Sequence, residues 1–310
     1  MARYLVTGGC GFIGSHLVDA LVAQGDRVII LDNLSTGTRK YVPSEAELVV
    51  GDICDAETVK QTMAKVDACF HLAAVSSVTL SNQDWSGTHK VNLSGTINIF
   101  DAAWRVRKKP IPVIYASSAA VYGNPLSSEP LSENSPTRPL TAYGADKLGC
   151  ELHAVVAGNI HKVPTCGLRF FNVYGQRQDP RSPYSGVISI FANRVLSGEK
   201  ITIFGDGEQT RDFIYVDDVL RYLIVALSHA SCASPVFNVC TGKGTSINQL
   251  AQTAIKVSSK PGSIEHASVR EGDIVYSVGN PEKANKLFDM NPQIDINKGL
   301  RKLFNSLNSQ

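Results

Sequence analysis

With 310 residues, 30 Lys and Arg against 28 Asp and Glu, and a formal charge of +2, the chain can bury a large core but has no strongly charged face. Its longest basic run is Arg105-Val106-Arg107-Lys108-Lys109, so neither nucleic acid nor an anionic membrane is an expected partner. No stretch approaches the ~18 apolar residues of a membrane span, no leader pattern opens the chain, and the scattered cysteines never form C-x-x-C; a cytoplasmic protein with reduced thiols and no metal is expected.

Tyr4-Leu5-Val6-Thr7 predicts a short strand and Gly8-Gly9-Cys10-Gly11 a turn. Phe12 then opens a helix with Ile13, Leu17 and Leu21 at helical spacing. A second apolar run, Arg27–Leu31, ends on Asp32. Strand, glycine turn, helix, strand and carboxylate together form the dinucleotide-binding βαβ unit. Gly8 permits the tight turn, Gly11 admits the cofactor pyrophosphate to the backbone N–H groups at the helix start, and Gly14 brings helix and strand close. Phe12 and Ile13 are assigned to the same cofactor site. Asp32 is placed to accept from the adenosine ribose and to repel a 2′-phosphate, which selects NAD over NADP. Cys10 lies inside the phosphate turn and is the one cysteine singled out.

Asn33, Ser35, Thr36 and Gly37 form a polar loop suited to the adenosine end. Glu47–Val50 predicts a third strand, followed by Gly51-Asp52-Ile53. Asp52 either accepts from the adenine amine or caps a helix over Ala56–Lys65; Ile53 is assigned to the cofactor beside it. Asp67–Ala74 predicts a fourth strand whose end, Leu72, Ala73 and Ala74, lets a cofactor lie across it. A helix follows with Leu93, Ile97, Phe100 and Trp104 on one face, then a fifth strand over Ile111–Ala116. This βαβαβ alternation argues a doubly wound parallel sheet with helices on both faces.

Residues 124–142 hold four prolines among Ser, Thr and Glu, and predict a long functional loop. Further elements are predicted as a helix from Thr141 to about Asn159, a strand at Pro164–Arg169, and a helix at Val187–Ser197. Beyond these come a strand at Ile201–Phe204, a helix at Asp217–Leu227, a strand at Val236–Val239, and helices near Ile247–Val257 and Lys298–Leu307. The division is a dinucleotide-binding domain over residues 1–170 and a smaller mixed α/β lobe over 171–310. That lobe is discontinuous, with some segments returning to the first domain.

Tyr143 and Lys147 stand at i and i+4, one turn apart on one helix face. A phenol of pKa near ~10 is a poor base at neutral pH, and a neighbouring ammonium favours its ionised form. Ser118, at the end of the fifth strand, is placed to share a proton with a substrate hydroxyl beside Tyr143; alternation turns Ser117 away.

The spacing Gly8-x-x-Gly11-x-x-Gly14 with Tyr143-x-x-x-Lys147 resembles the short-chain dehydrogenase/reductase superfamily, and the length and C-terminal motifs point to its extended branch. Ser117-Ser118-Ala119-Ala120-Val121-Tyr122-Gly123 is similar to the matching segment of nucleotide-sugar 4-epimerases. Related 4,6-dehydratases carry Asp-Glu where this chain has Ala119-Ala120, and related decarboxylases carry a Glu at Ala120. Arg169-Phe-Phe-Asn172-Val-Tyr-Gly-Gln176-Arg-Gln178-Asp-Pro180 resembles epimerases of UDP-N-acetylhexosamines.

The resemblance covers residues 3–285 and implies an NAD-dependent 4-epimerase working through a 4-keto sugar. Tyr143 takes the 4-OH proton while the C4 hydride passes to NAD⁺ and later returns to the opposite face. It also implies substrate contacts from Ser77, Ser118, Tyr143, Asn172, Gln178, Val187 and Ser277. A diphosphate clamp is implied from Arg211 and Arg270, with Asp273 beside it to bind ribose or to position Arg270. Ser277 would form the wall at the sugar C2 substituent, unless the neighbouring Tyr276 does. UDP-GlcNAc and UDP-GalNAc are the implied pair. UDP-glucose or UDP-glucuronate epimerisation is the rival, and a non-catalytic NAD-sensing protein a more distant one. A homodimer through helices at Val91–Arg107 and Tyr143–Asn159 is a further implication. One departure is Asn280, where relatives carry Asp, at a position expected to support the fold.

Overall fold

The computed structural model describes residues 1–125, 127–178, 186–269 and 274–308. The strands are β1 (Arg3–Thr7), β2 (Arg27–Asp32), β3 (Glu47–Val50), β4 (Ala68–His71), β5 (Val113–Ser118), β6 (Thr165–Phe170), β7 (Asn172–Tyr174), β8 (Ile201–Phe204), β9 (Thr210–Tyr215), β10 (Val236–Val239), β11 (Gly244–Ser246), β12 (Ile264–Ala267) and β13 (Tyr276–Ser277). The helices are α1 (Phe12–Ala23), α2 (Ala56–Met63), α3 (Val78–Gln83), α4 (Trp85–His89), α5 (Gly95–Arg105), α6 (Ala142–His161), α7 (Val187–Leu196), α8 (Val216–Ala226), α9 (Ile247–Ser258), α10 (Glu282–Phe288) and α11 (Ile296–Asn308).

A seven-stranded sheet runs in the order β10-β6-β5-β4-β1-β2-β3, the Rossmann-like doubly wound arrangement. The pairs β1–β2, β2–β3, β1–β4 and β4–β5 are parallel. Strand order reverses between β1 and β4, so the crevice outside Thr7 and His71 is where such a sheet accepts a ligand. Both faces of the sheet are covered, which explains the continuous apolar runs in its strands. On one face Leu5, Ile29, Leu31 and Val113 pack with Val59 and Met63 of α2, Ile99 and Phe100 of α5, and Cys150 and Ala154 of α6.

The chain divides into two compact units. The first holds residues 1–121, 139–169 and 220–237, and the second holds 122–138, 170–219 and 238–310. In the second, β9 is the central strand. It pairs with β7 along Phe213–Tyr215, with β11 antiparallel along Thr210–Asp212, and with β13 at Thr210 and Arg211. The aromatic rings of Tyr174, Phe213 and Tyr215 meet edge to face, and α9 packs against α7 and α11.

Four expectations change on inspection. The fourth strand stops at His71, leaving Leu72–Ala74 as loop. The fifth begins at Val113 and runs through Ser118, because Pro110 and Pro112 have no N–H for a ladder at its start. The helix carrying Leu93 to Trp104 is a broken run, α3, α4, a π-helical turn at Lys90–Ser94, then α5. Ser77 caps α3 by accepting from Leu80 N–H, and Asp84 caps α4 by accepting from Gly87 N–H. Asp52 does not cap α2; Asp55 does, through Glu57 N–H.

Candidate active site

Gly8 turns the chain at φ +68°, a conformation L side chains rarely adopt, with its N–H on the Leu31 carbonyl at 2.9 Å. A Cβ on Gly14 would lie 2.8 Å from Gly9 Cα and collide with the Gly8 carbonyl oxygen, so the helix start can sit on the turn only with glycine there. Gly11 precedes α1 in extended conformation with no side-chain cap, which leaves the N-terminal N–H groups directed at the turn. Phe12 and Ile13 begin the helix and are half-buried.

Asp32, 8% exposed, ties the turn to β2: Oδ2 accepts from Cys10 N–H at 2.9 Å and Oδ1 from Leu34 N–H at 2.8 Å. Each oxygen keeps a further lone pair for a ribose hydroxyl. Cys10 is buried, and burial with the Asp32 charge pushes its thiol up to about 11, so it stays protonated and inert. Asn33 donates to Asp52 at 3.2 Å and accepts from Ser35 N–H at 3.0 Å, and Thr38 N–H holds the loop containing Thr36 and Gly37 onto the Cys10 carbonyl. Burial raises the Asp52 carboxyl, but the Cys54 and Asn33 hydrogen bonds and the Lys90 charge outweigh it and hold it below the usual range. Ile53 is buried beside Gly95 of α5.

Lys147 is 3% exposed and donates from Nζ to the Ala116 carbonyl at 2.9 Å. The same ammonium lies 5.8 Å from the Tyr143 ring centre. Thr141 caps α6 by accepting from Gly144 N–H, and a Cβ on Gly144 would come 2.6 Å from the Ala120 carbonyl. That close approach seats the Tyr143 turn on the residues following Ser118, whose Oγ accepts from Ala120 N–H at 3.1 Å. Ala119 and Ala120 open a single 3₁₀ turn and present methyl groups. Ser117 is buried and donates to Glu151 at 2.5 Å; Glu151 in turn holds Arg169 through both its oxygens at 2.8 and 2.7 Å. Tyr143, Lys147 and Glu151 therefore share one helix face at i, i+4 and i+8. The spacing of Glu151 was visible in the sequence, whereas its partner Arg169 is a strand residue that only the fold brings alongside.

Of the residues assigned to substrate, Ser77, Ser118 and Tyr143 belong to the first unit, and the second carries Asn172, Gln178, Val187, Arg211 and Ser277 in two groups. Arg211 and Ser277 are register partners across β9 and β13, and Asn172 Nδ2 donates to the Asp212 carbonyl at 3.2 Å. Asp212, fully buried, anchors this group by accepting from Thr241 N–H and Oγ1, Gly242 N–H and Gly279 N–H. Its burial raises the carboxyl above the usual range despite those bonds. Ser277 is 8% exposed and Tyr276, opposite Thr210, is half-buried. Gln178 accepts from Ser189 Oγ of α7 at 2.6 Å, which brings it to Val187 at the start of that helix. Arg270 and Asp273 lie outside the described residues. Asn280 accepts from Glu282 N–H at 2.8 Å, so its amide oxygen makes the bond an Asp would make there.

A model of the NAD dependent epimerase/dehydratase family matches residues 4–240, and the chain belongs to that family. A UDP-glucose 4-epimerase from Mycolicibacterium smegmatis is 36% identical, over 97% of this chain and 96% of its own. Solved structures similar over nearly the whole chain include two of named 4-epimerases. The UDP-glucose 4-epimerase of Thermotoga maritima with UDP-glucose has a TM-score of 0.95 at 32% identity, covering 99% of both chains. A UDP-N-acetylglucosamine 4-epimerase of Methanobrevibacter ruminantium in complex with UDP-N-acetylmuramic acid has 0.92 at 34%, covering 99% of this chain and 98% of its own. A UDP-N-acetyl-α-D-glucosaminuronate decarboxylase of Bacillus cytotoxicus is 31% identical over 93% of this chain and 89% of its own. The family's NAD fits the residues present: a Cβ on Gly11 would meet only the Gly8 carbonyl, so the start of α1 is open to a pyrophosphate, and Asp32 accepts from two main-chain N–H groups, with no ion pair among the described residues.

Proposed function

We propose that the protein is a cytoplasmic 4-epimerase interconverting UDP-GlcNAc and UDP-GalNAc, with UDP-Glc and UDP-Gal as further substrates. The observation that carries this reading is the Ser118, Tyr143 and Lys147 set with two alanines, Ala119 and Ala120, directly after Ser118. Elimination of water needs a second acid and base near the 3₁₀ turn, and Ala119 and Ala120 offer none; the same argument disfavours decarboxylation. NAD, when bound, supplies reversible hydride acceptance at the sugar C4. The glycine turn, Asp32 and the Asn33–Gly37 loop hold it, with Asp52, Ile53 and Leu72–Ala74 completing its bed.

In this mechanism Tyr143 takes the proton of the sugar 4-OH and gives it back after the keto sugar has turned over. Ser118 shares a hydrogen bond with the same hydroxyl. Lys147, anchored on the Ala116 carbonyl, places its positive charge 5.8 Å from the Tyr143 ring centre, beside the group that exchanges the proton. Arg211, with Arg270, suits the diphosphate through its forked donors. Ser77, Asn172, Gln178 and Val187 complete the substrate contacts in this proposal.

The small Ser277 beside Arg211 leaves room for an acetamido group, which supports the N-acetyl sugars. A second reading, UDP-Glc and UDP-Gal as the principal pair, draws support from the relatives named UDP-glucose 4-epimerase. The deciding experiment incubates the protein, as purified and without added cofactor, with each UDP-sugar and follows the sugar by NMR. Conversion of UDP-GlcNAc to UDP-GalNAc is expected; release of water or of CO₂, or no product from any UDP-sugar, would remove the reading. The protein is also proposed to pair with a second copy through α5 and α6. Leu152, Val155, Val156 and Ile160 of α6 are 43–69% exposed and form one apolar stripe. Leu152→Glu with Ile160→Glu should convert a dimer to a monomer in light scattering.

A further inference from the structure

His71 closes β4, at the point where strand order reverses, and is 3% exposed. Its two ring nitrogens face two threonines: Nδ1 meets Thr7 Oγ1 at 2.7 Å and Nε2 meets Thr96 Oγ1 at 2.9 Å. A count of protons fixes the direction of each bond. Thr96 spends its single hydroxyl proton on the Asn92 carbonyl at 2.6 Å, so towards His71 it can only accept. His71 must therefore carry its proton on Nε2. In the neutral ring Nδ1 is then an acceptor, and Thr7 donates to it. With that proton committed, Thr7 Oγ1 accepts from both Leu72 N–H and Ala73 N–H, each at 3.2 Å. Burial, reinforced by the Lys147 charge, pushes the imidazole down to about 3, which agrees with a neutral ring.

The other end of the same loop is held from the same network. Asn92 lies in the π-helical turn, accepts from Val75 N–H at 2.8 Å and donates to the Val75 carbonyl at 3.0 Å. Its own carbonyl receives Thr96 and, at 3.3 Å, the Cys150 thiol of α6. Leu72–Val75 is thus gripped by Thr7 at its start and by Asn92 at its end, with His71 joining the two grips. The loop has little slack, because a Cβ on Gly8 would come within 2.8 Å of Ala73 N and Cα. Any shift of the loop is passed directly to the phosphate turn.

We infer that His71, held as the Nε2–H tautomer between Thr7 and Thr96, is a positioning residue for the dinucleotide, fixing the Leu72–Val75 loop against the Gly8 turn. The inference rests on the reading that Leu72–Ala74 carry the cofactor. No other protein side chain supplies one acceptor and one donor on opposite edges of a rigid ring, which is what two threonines on either side require.

The test uses the full-length protein stripped of cofactor. His71→Gln cannot span both threonines, and Thr7→Val keeps its shape but loses the hydroxyl that holds Ala73, leaving Leu72 only its bond to the Thr7 carbonyl at 3.2 Å. Either change should raise the calorimetric Kd for NAD about tenfold, with affinity for UDP unchanged. Thr7→Ser, which restores the hydroxyl, should return the Kd to the wild-type value. Unchanged NAD affinity in both His71→Gln and Thr7→Val, with NAD binding intact in wild type, would overturn the positioning role alone. Failure of wild type itself to bind NAD would remove the underlying reading. Should both variants fail to fold, ¹⁵N NMR of the wild-type histidines still decides. A single His71 proton on Nε2 at neutral pH is expected, and a proton on Nδ1 would overturn the network as drawn.

Discussion

In the first unit the groups proposed for chemistry are fastened to main chain or to buried partners. Lys147 bonds the Ala116 carbonyl, Asp32 receives two backbone N–H groups, and Ser117 behind Ser118 is locked onto Glu151 and Arg169. In the second unit the groups proposed for the sugar and diphosphate sit on short pairings: Ser277 on a two-residue ladder with Arg211, Arg211 also on a three-residue one with β11, and Asn172 on a three-residue one. The difference suits the two tasks. Proton transfer demands fixed geometry, since small displacements cost large factors in rate. Discriminating one sugar from another depends on pocket volume, which a single side chain can change. Substitutions in the first unit should therefore affect every sugar alike, and substitutions in the second should alter the choice among them.

The sharpest division is expected from Tyr143→Phe. It should retain the fold and NAD content while kcat falls roughly 10²- to 10⁴-fold for all accepted UDP-sugars, measured after excluding trace wild type. Retention of near-normal turnover would show that the phenol is not the base.

Next comes the contrast between ion pairs. Glu151–Arg169 is 7–8% exposed, so Glu151→Ala takes the carboxylate from a buried guanidinium and should cost about 3–5 kcal/mol in denaturant unfolding. Lys302–Asp217 in the second unit is 42–43% exposed, and Lys302→Ala should cost no more than about 1 kcal/mol after solvent screening. Equal losses from the two substitutions would contradict the difference in burial.

For the second unit, Ser277→Tyr fills the space proposed for the acetyl group. The kcat/KM for UDP-GalNAc relative to UDP-Gal should fall about tenfold or more. An unchanged ratio would take Ser277 out of the specificity argument and leave Tyr276 as the wall. The smallest effect is expected at Asp32. Asp32→Asn should narrow the preference for NAD over NADP severalfold by removing a like-charge contact with the 2′-phosphate, in competition binding to stripped protein. Because Asp32 also anchors Cys10 and Leu34, some loss of NAD affinity accompanies it.

Local pattern was enough for the features that depend on neighbours in sequence. The glycine turn, the acidic end of β2, the βαβ alternation and the Tyr143–Lys147 spacing all follow from turn chemistry and from the periods of strand and helix. The strands β7, β9, β11, β12 and β13 are not legible in the sequence, because none is a bounded apolar run like those of the seven-stranded sheet, and β7, β11 and β13 are set by pairing with β9. The same reason hid the buried contacts. Glu151 reads as one more helix residue and His71 as the polar end of an apolar strand. Folding sets Arg169 beside the first, and Thr7 and Thr96 on either side of the second. A buried carboxylate or imidazole is tolerable only when such partners arrive, and their arrival from distant parts of the chain is a property of the tertiary structure.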